Sequence, residues 1–489
     1  MRRVSEDRSL FCKKPMRDLL LESSDERRHM RKVLGPWNLV TLGIGGIIGA
    51  GIFVITGQAA AQYAGPAISI SFLISGMACG LAALCYAELA SLIPLAGSAY
   101  TYAYATLGEL IAWIIGWDLI LEYLFAAATV AGGWSGYVIS FLADMGIAVP
   151  SALAEAPLRH TMVGGWQPTG AVLNLPAVLI ALVLTILLVF GVRGSARLNN
   201  AIVFVKVAVI MLFICFGAFY IRHDNWTPFI PKNTGIFGQY GFSGIFRGAA
   251  VVFFAYLGFD AVTTAAQECR NPQKDMPKGV LGSLVVCTLL YVLVAVVLTG
   301  MVKYQLLLVP DPIAFGVDAA GAGLLWLRPL IKVGAIAGLS SVILVVLFGQ
   351  SRILYTMAVD GLLPAQLAAV HSKYRTPHVS TILTGLAAAI LAAGLPISVL
   401  GEMVSVGTLF AFVIVCLGVL VLRRTDPLLP RPFKVPGGPV VPILGASISM
   451  IQMGFLPMIT LLRLVVWMAI GLGVYFSFGF RHSATRIKE

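Results

Sequence analysis

Leu42-Gly43-Ile44-Gly45-Gly46-Ile47-Ile48-Gly49-Ala50-Gly51-Ile52-Phe53 is the stretch on which the fold turns. It lies in an apolar run over 37–60, long enough to cross a bilayer as helix, for which about 20 apolar residues suffice. Yet residues 43–51 hold five glycines, and each costs a helix about 1 kcal/mol relative to alanine. Three readings compete. A dinucleotide loop needs a strand before it and a helix after it in a soluble βαβ unit, and the context here is a membrane span. Close helix packing through small residues is the plain structural reading. The third is an unwound segment exposing backbone at mid-membrane, which is tolerated only where it lines a cavity.

A second interruption favours the third reading. The run over 246–268 contains Phe254-Ala255-Tyr256-Leu257-Gly258-Phe259-Asp260, with a glycine and a carboxylate near mid-span. Two interrupted helices five spans apart are what an inverted five-helix repeat predicts. The expected fold is all-α and integral to the membrane: twelve transmembrane helices in a 5+5 inverted repeat with helices 1 and 6 broken, plus two additional C-terminal helices. The first repeat would occupy 37–220, the second 246–422 and helices 11–12 residues 440–480, between a basic segment 1–36 and a tail 481–489. The breaks create paired half-helix ends. Amides near Gly49, Ala50 and Gly51 would present a positive dipole end, and carbonyls near Phe254 would face them. Donors opposite acceptors suit a zwitterion, and an α-amino acid is the obvious solute.

Bulk composition agrees with a lipid environment. Only 11% of the 489 residues are charged, against about 25% in soluble domains, and mean hydropathy is +0.90. Twelve apolar runs are candidate spans: 37–60, 66–91, 107–139, 174–190, 199–220, 246–268, 279–302, 330–359, 378–394, 403–422, 440–456 and 460–480. With both termini inside, the inner segments hold 25 of the 34 Lys and Arg and the outer segments five, a strong positive-inside bias. The net charge of +12 forms no continuous patch, so anionic lipid headgroups are a better match than nucleic acid. The cysteines lack a CxxC pair and read as buried free thiols, with no metal, disulfide or cofactor expected.

Ionisable residues at depth each need a reason. Lys206 sits about ten residues beyond Arg197, on the order of 14 Å into the fifth span. It either snorkels to the inner interface or serves as a proton site, with Ser340 and Ser341 as expected neighbours. Asp260 either caps the inner half of the sixth span or acts on substrate. Asp118 and Glu122 are four apart and share one helix face, as a possible relay or gate or as structural groups. Glu88 reads as structural, and Gly132, Gly133 and Gly136 as helix packing. The eighth span, with Val342 to Phe348, offers no anion for a guanidinium, and Asp260 is the only acid placed at the breaks.

At these residues the chain resembles the amino acid–polyamine–organocation superfamily, and within it bacterial relatives of the cationic amino acid transporters. The resemblance rests on Gly43 to Phe53, Cys85-Tyr86-Ala87-Glu88-Leu89-Ala90, Pro94 to Tyr102, Gly116 to Tyr123, Phe254 to Asp260 and Asn271 to Pro277. It implies an inverted-repeat permease with no catalytic residues, driven by protons or working by exchange. The substrate carboxylate would lie on backbone near Ala50 and Gly51, and the ammonium on carbonyls near Ile47 and Phe254. Ala255, Leu257 and Asp260 would complete the site. Ala50 replaces a hydroxyl residue common in such proteins, so the carboxylate would rest on amides alone. Lys206 would occupy the place of a sodium ion between the first and eighth spans.

The expected function is secondary active, proton-coupled uptake of small neutral L-amino acids by alternating access in the cell membrane. A cationic amino acid uniporter or exchanger and an amino acid sensor on a transporter fold are the alternatives. An enzyme is disfavoured because the six histidines lie outside the spans or at their ends and do not pair with acids.

Overall fold

The computed structural model describes residues 10–14, 35–92, 98–161, 165–191, 196–264 and 269–484. Most of the basic N-terminal segment, Pro94 to Gly97, Arg193, Arg486 and Lys488 lie outside the described residues. Helix α1 (Pro36–Ile47) opens with proline at its first turn, where the missing amide hydrogen costs nothing. It stops at Ile48, whose backbone is extended. The chain rewinds at once through a π-helical turn, Gly51–Ile55, a short α-helical turn, Thr56–Ala59, and a second π-helical turn, Ala60–Ala64. Gly65, at φ 62°, makes the corner into Pro66 and α2 (Ile68–Leu92).

The short α3 (Ser98–Thr106) leads through Gly108, at φ 97°, into α4 (Glu109–Asp144). After α4 comes a small antiparallel hairpin, β1 (Leu158–Thr161) with β2 (Gly165–Pro168), pairing Leu158 with Pro168. The sequence reading assigned no strand there. Helices α5 (Leu175–Phe190) and α6 (Ala196–Gly217) follow.

A second interrupted element comes next. Helix α7 (Gly241–Val252) tightens into a 3₁₀ turn, Phe253–Tyr256, and breaks at Leu257 and Gly258 before α8 (Phe259–Thr264). The remaining helices are α9 (Pro272–Met301), α10 (Pro312–Ala320), α11 (Leu327–Val359), α12 (His378–Gly394), α13 (Ile397–Thr425), α14 (Val440–Phe455) and α15 (Met458–Val474). Only Leu456 and Pro457 separate the last two. Among the described residues, seven helical stretches are long and apolar enough to cross a membrane, and four shorter apolar helices accompany them.

Packing divides the helices. One group joins α1, α2, α7, α8 and α9; another joins α4, α5, α11 and α12. Helix α6 bridges them by touching α1, α9 and α11, and α13 bridges them by touching α2 and α4. Small residues allow close approach. A Cβ on Gly132 or Gly133 would lie 2.9 Å from Ile397 or Val54, and one on Gly136 would lie 2.5 Å from Pro310. Glu88, 1% exposed, accepts from Arg423 and from the Val435 amide at 2.7 Å, a structural tie between α2 and the segment after α13.

Both ends of the described chain meet near the start of α4. Residues 10–14 form a strap: the amides of Glu109 and Leu110 donate to the carbonyls of Cys12 and Leu10 at 2.9 and 3.0 Å, and Lys14 N donates to Tyr104 O at 3.3 Å. Lys14 pairs with Asp360 at 3.4 Å, and Tyr100 donates to the same carboxylate at 2.8 Å. From the other terminus, Ser483 donates to Glu109, and the Ala484 amide donates to Asp360 O at 2.9 Å. Below, this is the terminal end of the bundle, and the opposite one is the hairpin end.

Candidate functional site

The two interruptions lie against each other. A Cβ on Gly258, at φ 108°, would come within 2.7 Å of the Gly46 carbonyl, and one on Gly51 would overlap Ala255. Only glycine at these positions lets the backbones touch. The sequence-predicted residues Ile47, Ala50, Gly51, Phe254, Ala255, Leu257 and Asp260 are all buried here. The first three stand on the α1 side of the contact and the other four on the α7–α8 side.

Tyr291 of α9 ties the breaks together. Its hydroxyl lies 2.8 Å from Ile47 O and 2.7 Å from Ala255 O, one donor shared between two carbonyls. Sequence reasoning missed it. The available signal was a tyrosine in the middle of an apolar span, away from the interfacial belts where tyrosines collect. Phe254 O accepts the Leu257 amide at 3.1 Å. Both carbonyls predicted to receive an ammonium thus already hold one protein donor, and each keeps a second lone pair.

Lys206 is fully buried, and its ammonium donates to Gly45 O at 2.6 Å and Ile48 O at 2.9 Å. Those carbonyls are released at the C-terminal end of α1, where helical partners run out. Lys206 packs on the same stretch of α11, a Cβ on Gly338 lying 3.3 Å from its Cδ, while Ser341 donates to Gly338 O at 2.7 Å and Ser340 to Ile336 O at 2.8 Å, each back onto its own helix. Backbone carbonyls freed by the break are the acceptors of Lys206.

Asp260 occupies the first turn of α8, where its carboxylate accepts the Tyr123 hydroxyl at 2.6 Å. Glu122, next to Tyr123 on α4, lies within electrostatic reach of both Asp260 and Asp118. Neither oxygen of the buried Asp118 has a hydrogen-bond partner among the described residues. Glu122 thus links Asp118 and Asp260 electrostatically, and sequence spacing revealed only the pair on α4. A cavity of about 420 Å³ opens at the hairpin end, lined in part by Gln58, Gln62, Gly132, Gly136 and Asn174.

The amino acid permease family matches residues 34–475. The chain is 45% identical to the branched-chain amino acid permease BcaP of Bacillus subtilis (strain 168) over 476 residues, covering 97% of this chain and 98% of that protein. It is 46% identical to the methylthioribose transporter of the same organism over 475 residues, covering 97% and 99%. Identity to the vacuolar cationic amino acid transporter 4 of Arabidopsis thaliana is 40% over 421 residues, covering 86% and 68%. With paired helix breaks in an apolar helical bundle and a family match over most of its length, the chain is a multi-pass membrane transporter, not an enzyme, and belongs to the amino acid permease family.

Proposed function

We propose that the protein is a proton-coupled importer of small neutral L-amino acids, working by alternating access in the cell membrane with both termini cytoplasmic. The observation that carries this reading is the meeting of the two breaks, with Lys206 bonded to the carbonyls of one of them. The substrate carboxylate would take the amides at Ala50 and Gly51, and its ammonium the free lone pairs at Ile47 and Phe254. Ala255 and Leu257 would shape the wall, and Asp260 would bias the site toward a cation.

In this reading twelve helices cross the bilayer as repeats 37–220 and 246–422, with 440–480 outside them. The division into two helix groups supports it, since each group draws one helix pair from each repeat. The lipid headgroups would hold the basic segment 1–36.

Relatives named for branched-chain amino acids and for methylthioribose stand at nearly equal identity, so the solute is argued from the site. Protonated, the Lys206 amine would hold Gly45 and Ile48 together; deprotonated, it would release them. The two states would differ in substrate affinity, which is what coupling requires.

A second reading, a cationic amino acid exchanger, is favoured by the cluster of Asp118, Glu122 and Asp260 and by the relatives named as cationic amino acid transporters. Uptake of labelled alanine into proteoliposomes separates them. Driven by an imposed pH gradient without sodium, and inhibited by free amino acids but not by their amides, it supports the first. A strict sodium requirement refutes proton coupling, equal inhibition by amides refutes the carboxylate site, and arginine outcompeting alanine selects the second.

A further inference from the structure

The cavity at the hairpin end, about 420 Å³ in volume, falls within the ~300–1,000 Å³ range of small-molecule sites. Gly132 and Gly136 of α4 line one side of it, and Gln58 and Gln62, beyond the break of the first interrupted element, line another. Along that element Val54 lies between Gln58 and Ala50 of the central site. It is fully buried and packs on Gly133, where a Cβ would lie 2.9 Å from Val54 Cγ2 and 3.8 Å from Ala50 Cβ. The Val54–Gly133 contact thus separates the cavity from the breaks along this face of α4.

The polar groups of the cavity are few and distinct. Gln58 and Gln62 are half-buried, and their carboxamides make no hydrogen bond among the described residues. Each offers two N–H donors and a carbonyl. Asp311, just before α10, is an acid with no ion pair among the described residues; its carboxylate accepts Ser140 Oγ and has lone pairs to spare. Burial pushes that carboxyl above the usual carboxylate range. The cation within its electrostatic reach, Lys332, is committed to Asp144 at 2.5 Å and to Ser140 O at 3.1 Å. Glu155 and Arg159, the more exposed charges of the lining, pair with each other at 3.0 Å.

The free donors and the acid are neighbours. Gly57, next to Gln58, packs on Pro312, next to Asp311: a Cβ on Gly57 would lie 2.3 Å from Pro312 Cβ. Apolar side chains, Ile139, Leu308 and Ile397 among them, complete the wall. Adjacent amide donors and carboxylate, with apolar surface around them, suit the adjacent charges of an α-amino acid and an aliphatic side chain. Its carboxylate would take the amides of Gln58 and Gln62, and its ammonium Asp311. A simple amine would leave both carboxamides unused, and a simple anion would meet the carboxylate of Asp311.

We propose that this cavity is a second binding site, for one neutral aliphatic α-amino acid, on the far side of the Val54–Gly133 contact from the breaks. It rests on the orientation and the solute class proposed above, and it adds a stage to the route. A solute arriving from outside would be held at Gln58, Gln62 and Asp311 until Val54 leaves Gly133.

The test is equilibrium dialysis of labelled alanine against the purified, detergent-solubilised protein, read as molecules bound per chain. Two per chain are expected for the native protein. Asp311→Asn and Gln62→Leu should each leave one, and so should Gly51→Val, which removes the central site. In Gly51→Val, leucine should displace the remaining alanine about ten-fold more effectively than unlabelled alanine, because it buries more apolar surface. Alaninamide, which lacks the carboxylate, should displace it poorly. One alanine per native chain, lost in Gly51→Val and untouched by Asp311→Asn and Gln62→Leu, overturns the second site and leaves the central one standing. One alanine kept in Gly51→Val and lost in both cavity variants supports the second site and overturns the central assignment. If Gly51→Val does not fold, a fall from two to one in the cavity variants supports the proposal, and an unchanged count overturns it. Equal displacement by alanine and alaninamide overturns the assignment of a zwitterion.

Discussion

The two interrupted elements are alike in backbone and unlike in what holds them. Each has glycine at its break, and the two glycine-lined surfaces touch. The break after α1 is fastened by a charged group, the ammonium of Lys206 on two carbonyls. The break between α7 and α8 is fastened by hydroxyl donors, Tyr291 on Ala255 O, shared with Ile47 O of the first break, and Tyr123 on the Asp260 carboxylate. Loss of one proton would abolish much of the first attachment's strength, because charge-assisted hydrogen bonds are about twice as strong as neutral ones. Tyr291 on Ala255 O has no such dependence, since neither partner is charged. Under the proposed coupling, the two breaks would divide the work, the first answering to the proton on Lys206 and the second held in part by a neutral hydroxyl.

Breaking the contact itself should have the largest effect. Gly51→Val places a branched side chain onto Ala255, and overpacking of this kind costs about 1–3 kcal/mol. Uptake is expected to fall about ten- to hundred-fold, more than its loss of melting temperature explains. Wild-type uptake in a folded Gly51→Val protein would show that the breaks need not touch.

Lys206→Ala sharpens the comparison. It should abolish accumulation driven by a pH gradient while part of the counterflow exchange survives, as measured in proteoliposomes. A variant that follows the gradient like the native protein would remove Lys206 from coupling. Tyr291→Phe removes one hydroxyl worth about 1 kcal/mol. It should raise KM about five-fold and leave pH dependence intact, so a lost pH dependence would erase the distinction between the breaks. Asp260→Asn should have the smallest effect on alanine, within about three-fold in KM, because the amide still accepts the Tyr123 hydroxyl.

The breaks were legible in the sequence because glycine's helix cost is local and shows wherever five occur in nine residues. Lys206 and the acids were legible because ionisable groups are rare at depth. Their partners were not. The acceptors of Lys206 are main-chain carbonyls of another helix, and a carbonyl carries no mark in the sequence. Tyr291 went unread because a tyrosine in a span is most often an interfacial anchor, and only its depth in α9 distinguishes it. The joining of Asp260 to Glu122 depends on the packing of α8 against α4, which periodicity along either helix does not specify. The π-helical turns after Gly51 carry no composition of their own.

The strap bears on how the molecule is made. Residues 10–14 are made before any of the described helices, yet the surfaces they bind are completed by Ser483 and Ala484, which are made after all of them. Glu109 lacks its Ser483 donor, and the Asp360 carbonyl its Ala484 amide, until those two residues have been made. The terminal end of the bundle is therefore sealed only after every described helix has been made. A nascent chain arrested before Ser483 would present its N-terminal segment to a surface still missing its last contacts, and proteases at that face would meet an unfinished transporter rather than a closed one.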